Sequence, residues 1–338
     1  MKQRCIKVPK KKGESVRRVL LEFELLDHSL RIASDASYLY LPLSGEPEAS
    51  ELAALPVEAG SELTEFEFEP LERKPTLEEL LGFSPRFEVI GDIVLLEEEE
   101  LEPAGAQKAA AAILETHPRV KTVMMPLTPV IGEFRVRDFE ILAGERRTET
   151  VHREHGSRYM VDLAKAYFTP RLSTERIRVL EWVREGDTVV DMFAGVGPYS
   201  ILIAKKARPK RVLAIDKNPE AVNYLRENIA LNSVQNIEAI EGDAREEAEK
   251  FAGLADHVLM NLPHSAHEFL DSAVLLTKPG GIIHYYGMTP EDDLFESSIE
   301  LIRAAAVRAG RKIEVLETRT VRSYAPHQYN ICIEVRIL

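Results

Sequence analysis

An apolar run that ends in an acid, turns on two glycines and resumes as a helix constrains this chain more than any other feature. It reads Val189-Val190-Asp191-Met192-Phe193-Ala194-Gly195-Val196-Gly197-Pro198-Tyr199-Ser200. A second apolar run, Val212-Leu213-Ala214-Ile215, ends in Asp216. Strand, turn, helix and strand at this spacing are the first two strands of a doubly wound sheet, which holds a nucleoside at its carboxyl edge. Glycine permits the tight turn and a close ligand, and the second acid can grip a ribose diol.

The spacing also selects among nucleosides. A dinucleotide site needs a third Gly or Ala three residues after the second glycine, so that a helix can sit under a pyrophosphate. Here that position is Ser200. Asp191, just before the glycines, would repel a phosphate but suits an ammonium group. A cofactor with an amino-acid end and no phosphate, S-adenosylmethionine, fits this pattern. A third apolar run, 237–240, leads to Gly242-Asp243, and Asp243 is placed to accept from the adenine amino group. The expected cofactor set is therefore Asp191, Phe193, Gly195, Gly197, Asp216 and Asp243. An Asp after a strand can also simply cap the next helix, and that reading stays open for each acid.

With 338 residues the chain has room for several domains. Strands and helices alternate from about residue 167 to the end, predicting an α/β fold: a Rossmann-like methyltransferase domain over 167–338 with a reversed last strand. Two smaller α+β modules are expected before it, at 1–66 and 76–166, joined by an acidic, proline-bearing linker at 67–75. In the middle module, 87–96 reads as one strand, 105–115 as a helix and 120–125 as a strand. Antiparallel strands are expected at 134–142, 149–155 and 158–163. No run is long and apolar enough for a membrane span, and a cytoplasmic protein is expected. Cys5 and Cys332 have no metal-ligand spacing, so no metal is expected. Nothing in the sequence asks for a second subunit, so a monomer is the expectation.

Net charge is −13, which argues against a nucleic-acid partner only on average. Residues 1–18 carry eight Lys or Arg against Glu14 alone, and 134–176 carry nine against seven acids. The acidic surplus sits elsewhere, notably at 62–72 and 97–102. Phosphate binding needs local positive potential rather than a basic total, although a solvated surface accounts for many charge runs.

Two regions carry acceptor chemistry. After the fourth strand, 257–261, comes Asn261-Leu262-Pro263-His264. This departs from the Asn-Pro-Pro-Tyr of amino-group methyltransferases, but an Asn amide can donate to the oxygen beside a guanine ring nitrogen. Tyr167-Phe168-Thr169-Pro170-Arg171-Leu172-Ser173-Thr174-Glu175-Arg176 leads into a helix. Glu175 reads either as a first-turn carboxylate favoured by the helix dipole or as a general base for a ring N–H. Arg135, in Gly132-Glu133-Phe134-Arg135, reads either as a surface residue or as a stabiliser of a developing oxyanion. Carbon-5 pyrimidine methylation is excluded because neither cysteine lies in a motif at the crevice.

These segments, with His152-Arg153-Glu154-His155-Gly156 and Ser265-Ala266-His267-Glu268-Phe269, resemble the archaeal and eukaryotic tRNA (guanine-37-N1)-methyltransferases of the Rossmann type over nearly the whole chain. The resemblance implies an N-terminal module that checks the tRNA corner, a middle unit that clamps the anticodon arm, and a C-terminal domain for S-adenosylmethionine and the flipped guanine. By motif position it implies Arg135 for the oxyanion, Glu175 as base, Asn261 on the guanine and Tyr167 near cofactor and substrate. Pro263 and Arg171 fall on the acceptor side. Relatives that methylate carbon 7 of a wyosine precursor, or transfer the aminocarboxypropyl arm, share much of this set. A catalytically silent binder of tRNA or cofactor is the alternative from another class.

Overall fold

The computed structural model describes residues 2–56, 61–71, 75–97, 102–130 and 132–338. Part of the expected linker (72–74) and most of the acidic run (98–101) therefore lie outside the described residues. The chain divides into two compact units, Met1–Thr76 and Leu77–Leu338.

In the first unit a four-stranded antiparallel sheet runs in the order Ala33–Ser34, Tyr38–Pro42, Lys2–Pro9, Glu62–Glu67. The helix Gly13–Glu22 buries Val16 and Leu20 against Ile6, Val8, Leu41 and Leu43. Its four-residue spacing supplies the single apolar stripe that such a helix needs.

The second unit opens with another four-stranded sheet, in the order Phe87–Ile90, Ile93–Leu96, Thr122–Pro126, Phe139–Gly144. The single strand expected over 87–96 is thus a hairpin, because Gly91 takes φ 61° between its halves. The strand expected from residue 134 starts only at Phe139, and Gly132 and Arg135 both hold positive φ in a turn before it. Among the described residues, the next two strands, Glu149–Glu154 and Ser157–Asp162, pair only with each other. Their outer edge is closed from a helix: Asn228 exchanges bonds with the Met160 N–H (2.6 Å) and C=O (2.9 Å), and Asn232 with those of Arg158 (3.0 and 2.6 Å). Two amides four residues apart on a helix match strand positions two apart, and so satisfy an edge that would otherwise be unpaired.

The remaining strands form a seven-stranded sheet. Its elements are α1 (Ser173–Trp182), β1 (Thr188–Asp191), α2 (Pro198–Lys206), β2 (Arg211–Asp216), α3 (Pro219–Leu231), β3 (Ile237–Glu241), α4 (Ala244–Lys250), β4 (Ala255–Met260), α5 (Leu270–Leu276), β5 (Thr277–Pro290), α6 (Glu296–Arg308), β6 (Ile313–Ala325) and β7 (Gln328–Ile337). Strand order is 3-2-1-4-5-7-6, with β7 antiparallel to both neighbours. The central strands are near-continuous apolar runs because helices cover both faces. The order reverses between β1 and β4, and a crevice opens there at their carboxyl ends.

Candidate active site

A cavity of about 190 Å³ occupies that crevice, against the ~10–15 Å³ that one water needs. Phe193 and Gly195 reach it from the end of β1, Asp216 from β2 and Asp243 from the end of β3. Asn261 and Pro263 follow β4, while Tyr167 and Arg135 close the side. Segments far apart in sequence therefore converge at one switch point.

The cofactor-type wall is acidic and apolar. Asp216 accepts the Gly195 N–H at 2.6 Å and the Asn218 N–H at 2.8 Å, and desolvation raises its pKa. Asp243 lines the cavity and also caps α4, accepting the Arg245 N–H at 2.9 Å, so both sequence readings hold for it. A Cβ on Gly195 would meet only the Tyr167 carbonyl, at 3.8 Å, which leaves the backbone open to a ligand. Phe193, Ala244 and Leu262 supply flat apolar surface, with Phe193 braced edge-on by Phe269 at 4.9 Å. Acids without a phosphate cradle, beside an apolar slot, suit a nucleoside that carries an amino-acid arm.

Asp191 and Gly197 stand behind this wall rather than in it. Asp191 is buried, accepts from Ser200 Oγ at 2.7 Å, and is pushed up to about 7 chiefly by burial, with the Asp216 charge adding. Ser200, the residue that breaks the dinucleotide spacing, is thus its partner. Gly197 takes φ 89° at the start of α2, and a Cβ there would lie 2.4 Å from Leu225 Cδ1.

The other wall is marked by unsatisfied polar atoms. Asn261 Oδ1, Asn330 Oδ1, Arg322 Nε, Arg176 Nη1 and the Tyr199 hydroxyl are all buried without a hydrogen-bond partner, and all five residues line the cavity. Buried polar groups are paired in the great majority of cases, so five orphans around one space define a binding wall. Arg322, Asn330 and Met288 sit opposite one another across β6, β7 and β5. The Met288 N–H donates to the Pro263 carbonyl at 3.0 Å, tying this strip to the Asn261 loop. Tyr324 meets His264 edge-on at 5.3 Å. Burial lowers the His264 pKa, and the Arg135 guanidinium lowers it further. Arg322 and Tyr324 escaped the sequence reading because bulges in β6 break the alternation that would have flagged them, and Asn330 because its role comes from pairing with Arg322 and Met288. Arg176 had one signal, a charge beside Glu175 on a helix face that also buries Val179.

Glu175 is 3% exposed and does not line the cavity. Its Oε1 accepts from Arg178 Nη2 (2.7 Å) and Nε (2.8 Å) and from the Tyr286 hydroxyl (2.8 Å), and Arg319 approaches Oε2 at 3.5 Å. Arg178 also donates to Glu334, which His284 contacts at 3.2 Å. Burial works against the Glu334 charge, but His284 and Arg178 outweigh it and hold the carboxyl at about 2. Arg171 lies outside the cavity as well, held by Glu88 at 2.9 Å and by Glu97.

Three known families meet in this chain. The TRM5/TYW2 methyltransferase domain matches residues 150–316, the tRNA methyltransferase 5 N-terminal domain 5–51, and the TYW2 N-terminal domain 69–148. The tRNA (guanine(37)-N(1))-methyltransferase Trm5b of Pyrococcus abyssi is 45% identical over 98% of both chains. A solved complex of aTrm5 with tRNALeu superposes with a TM-score of 0.75 at 38% identity, covering 99% of each chain. The tRNA(Phe) (4-demethylwyosine(37)-C(7)) aminocarboxypropyltransferase of Methanocaldococcus jannaschii is 35% identical over 74% of this chain and 97% of its own. The chain belongs to the TRM5/TYW2 methyltransferase family, in the branch that carries the Trm5 N-terminal domain.

Proposed function

We propose that this protein methylates N1 of guanosine 37 in tRNA, with S-adenosylmethionine as donor. One observation carries the reading: a single cavity joins the acidic, apolar wall of Phe193, Asp216 and Asp243 to an acceptor wall of Arg135, Asn261 and Pro263 with unpaired polar atoms. The N1-methylating relative spans 98% of the chain and the aminocarboxypropyl relative 74%, which favours methyl transfer.

When bound, S-adenosylmethionine supplies an electrophilic methyl group on a sulfonium. The acceptor nitrogen of guanine carries a proton that must leave before its electron pair can attack. Glu175 is the base that receives this proton. Arg135 faces the negative charge that grows on O6, and the Asn261 amide holds the same edge of the base. The guanine must leave its stack to enter, at a cost of about a few kcal/mol, which contacts elsewhere on the tRNA offset. The lysines and arginines of residues 2–18 suit that role, since phosphate contacts give affinity independent of sequence.

The test is transfer of labelled methyl to a tRNA transcript with guanosine at position 37 and to one with adenosine there. Label in the first alone is expected, and equal labelling overturns the reading. Mass spectrometry of the product nucleoside separates N1-methyl from C7-methyl and aminocarboxypropyl products.

A further inference from the structure

Two tyrosines lie between the cavity and the proposed base, Tyr199 on the cavity side and Tyr286 on the side of Glu175. Tyr286 is fully buried and donates to Glu175 Oε1 at 2.8 Å. Its ring packs against that of Tyr199, with centroids 6.4 Å apart. Tyr199 lines the cavity, and its hydroxyl is buried without a fixed partner. The Tyr286 hydroxyl is accounted for by Glu175, but that of Tyr199 is not, since Phe would fill the same space without leaving a buried hydroxyl unsatisfied.

Resting on the reading of Glu175 as the base, we propose that Tyr199 and Tyr286 form a proton relay from the acceptor nitrogen to Glu175. The Tyr199 hydroxyl, unpaired in this structure, must close onto the Tyr286 oxygen as the guanine enters; the N1–H bond then breaks, its proton goes to the Tyr199 oxygen, and the Tyr199 proton passes to Tyr286. The Tyr286 proton moves to Glu175 Oε1 along the existing hydrogen bond. Each phenol gives one proton and takes one, so neither is left as a phenolate, and the N–H electron pair stays on nitrogen for the methyl group. The groups facing Glu175 suit this end point: Arg178 from its own helix, Arg319 from β6, and Cys332 and Glu334 of β7 around Arg178. The two guanidiniums face the carboxylate that receives the proton, and Arg178 also pairs with Glu334.

The relay is tested by single-turnover methyl transfer at saturating tRNA and cofactor, for wild type and the variants Glu175→Gln, Tyr286→Phe and Tyr199→Phe. Rates are measured in mixtures of water and heavy water, with cofactor binding followed by calorimetry. Each Phe variant is expected to slow the step by about 100-fold or more, within the range of general acid–base catalysis, with cofactor affinity within about twofold. The wild-type rate is expected to fall as a curved function of deuterium content, because several protons move together. A loss of packing alone would lower rates without that curvature. Wild-type-like rates in both Phe variants, or a linear dependence in the wild type, overturn the relay and leave Glu175 acting directly. A wild-type rate in Glu175→Gln overturns the underlying reading of Glu175 instead.

Discussion

Arg178 ties together Glu175 and Glu334, and its replacement by Met gives the sharpest test of how the second unit is held together. Arg178→Met keeps most of the side-chain volume but strands Glu175, 3% exposed, and Glu334, fully buried. Breaking a buried ion pair by removing one partner costs about 3–5 kcal/mol. The Glu334 carboxyl points the same way: His284 and Arg178 together hold it at about 2, against its ordinary 4.5, in spite of burial. The single tryptophan, Trp182, stands edge-on to His284 at 6.2 Å, so its fluorescence in a urea titration reports this unit. The sign of the pH effect follows from the depressed carboxyl. In the wild type its contribution is present above about pH 4.5 and is lost as pH falls toward about 2. In the variant, Glu334 loses a favourable cation, so acidification relieves its burial. The stability gap is therefore expected to be largest near neutral pH and to narrow by at least ~1 kcal/mol around pH 5. A loss below ~1 kcal/mol at neutral pH, or a gap that does not change with pH, would falsify the reasoning.

Other variants probe separate parts of the molecule. Asn228→Ala removes the partners of the Met160 N–H and C=O and the Val196 C=O. It should cost about 2–3 kcal/mol and speed hydrogen exchange at Met160; unchanged protection there would deny the edge-closing role. Gly197→Ala meets both a positive φ and the Leu225 contact, whereas Gly195→Ala meets only the φ. The first should lower thermal stability by more than the second, while only the second should weaken S-adenosylmethionine binding in calorimetry; the reverse pattern would refute the assignment. Arg135→Ala should slow single-turnover methyl transfer by about 10²-fold or more with cofactor affinity kept; an unchanged rate would return it to the surface.

The parallel half of the fold was legible because β1 to β4 are largely apolar runs followed by an acid or amide at the crevice. Asp216, Asp243 and Asn261 follow from that rule alone, and all three line the cavity. What stayed illegible depends on pairings distant in sequence. Arg178 meets Glu334 across 156 positions, and no local pattern announces it. His257 and His284, placed inside apolar strands and stacked at 5.3 Å, went unremarked in the sequence although polar groups run through this core. Glycine misled in one place: Gly91 sits in an apolar stretch that reads as one strand, and only its positive φ reveals the hairpin. Glu175 shows a subtler limit, since the sequence fixes its helix but not which way its carboxylate is drawn.

The face of β7 that carries Asn330, Cys332 and Glu334 has a consequence for how the cavity keeps its shape. Alternate strand residues share a face, so the three form one column about 14 Å long. Its ends do different things: Asn330 borders the cavity and Glu334 is gripped by Arg178 and His284. The smallest slide of β7 that preserves its faces is two residues, about 7 Å. Such a slide would pull Glu334 off both partners and strand buried charge, while moving Asn330 out of the wall. The ion cluster therefore works as an alignment pin: it sets the position of a cavity-facing amide from the far end of the strand, without itself reaching the cavity.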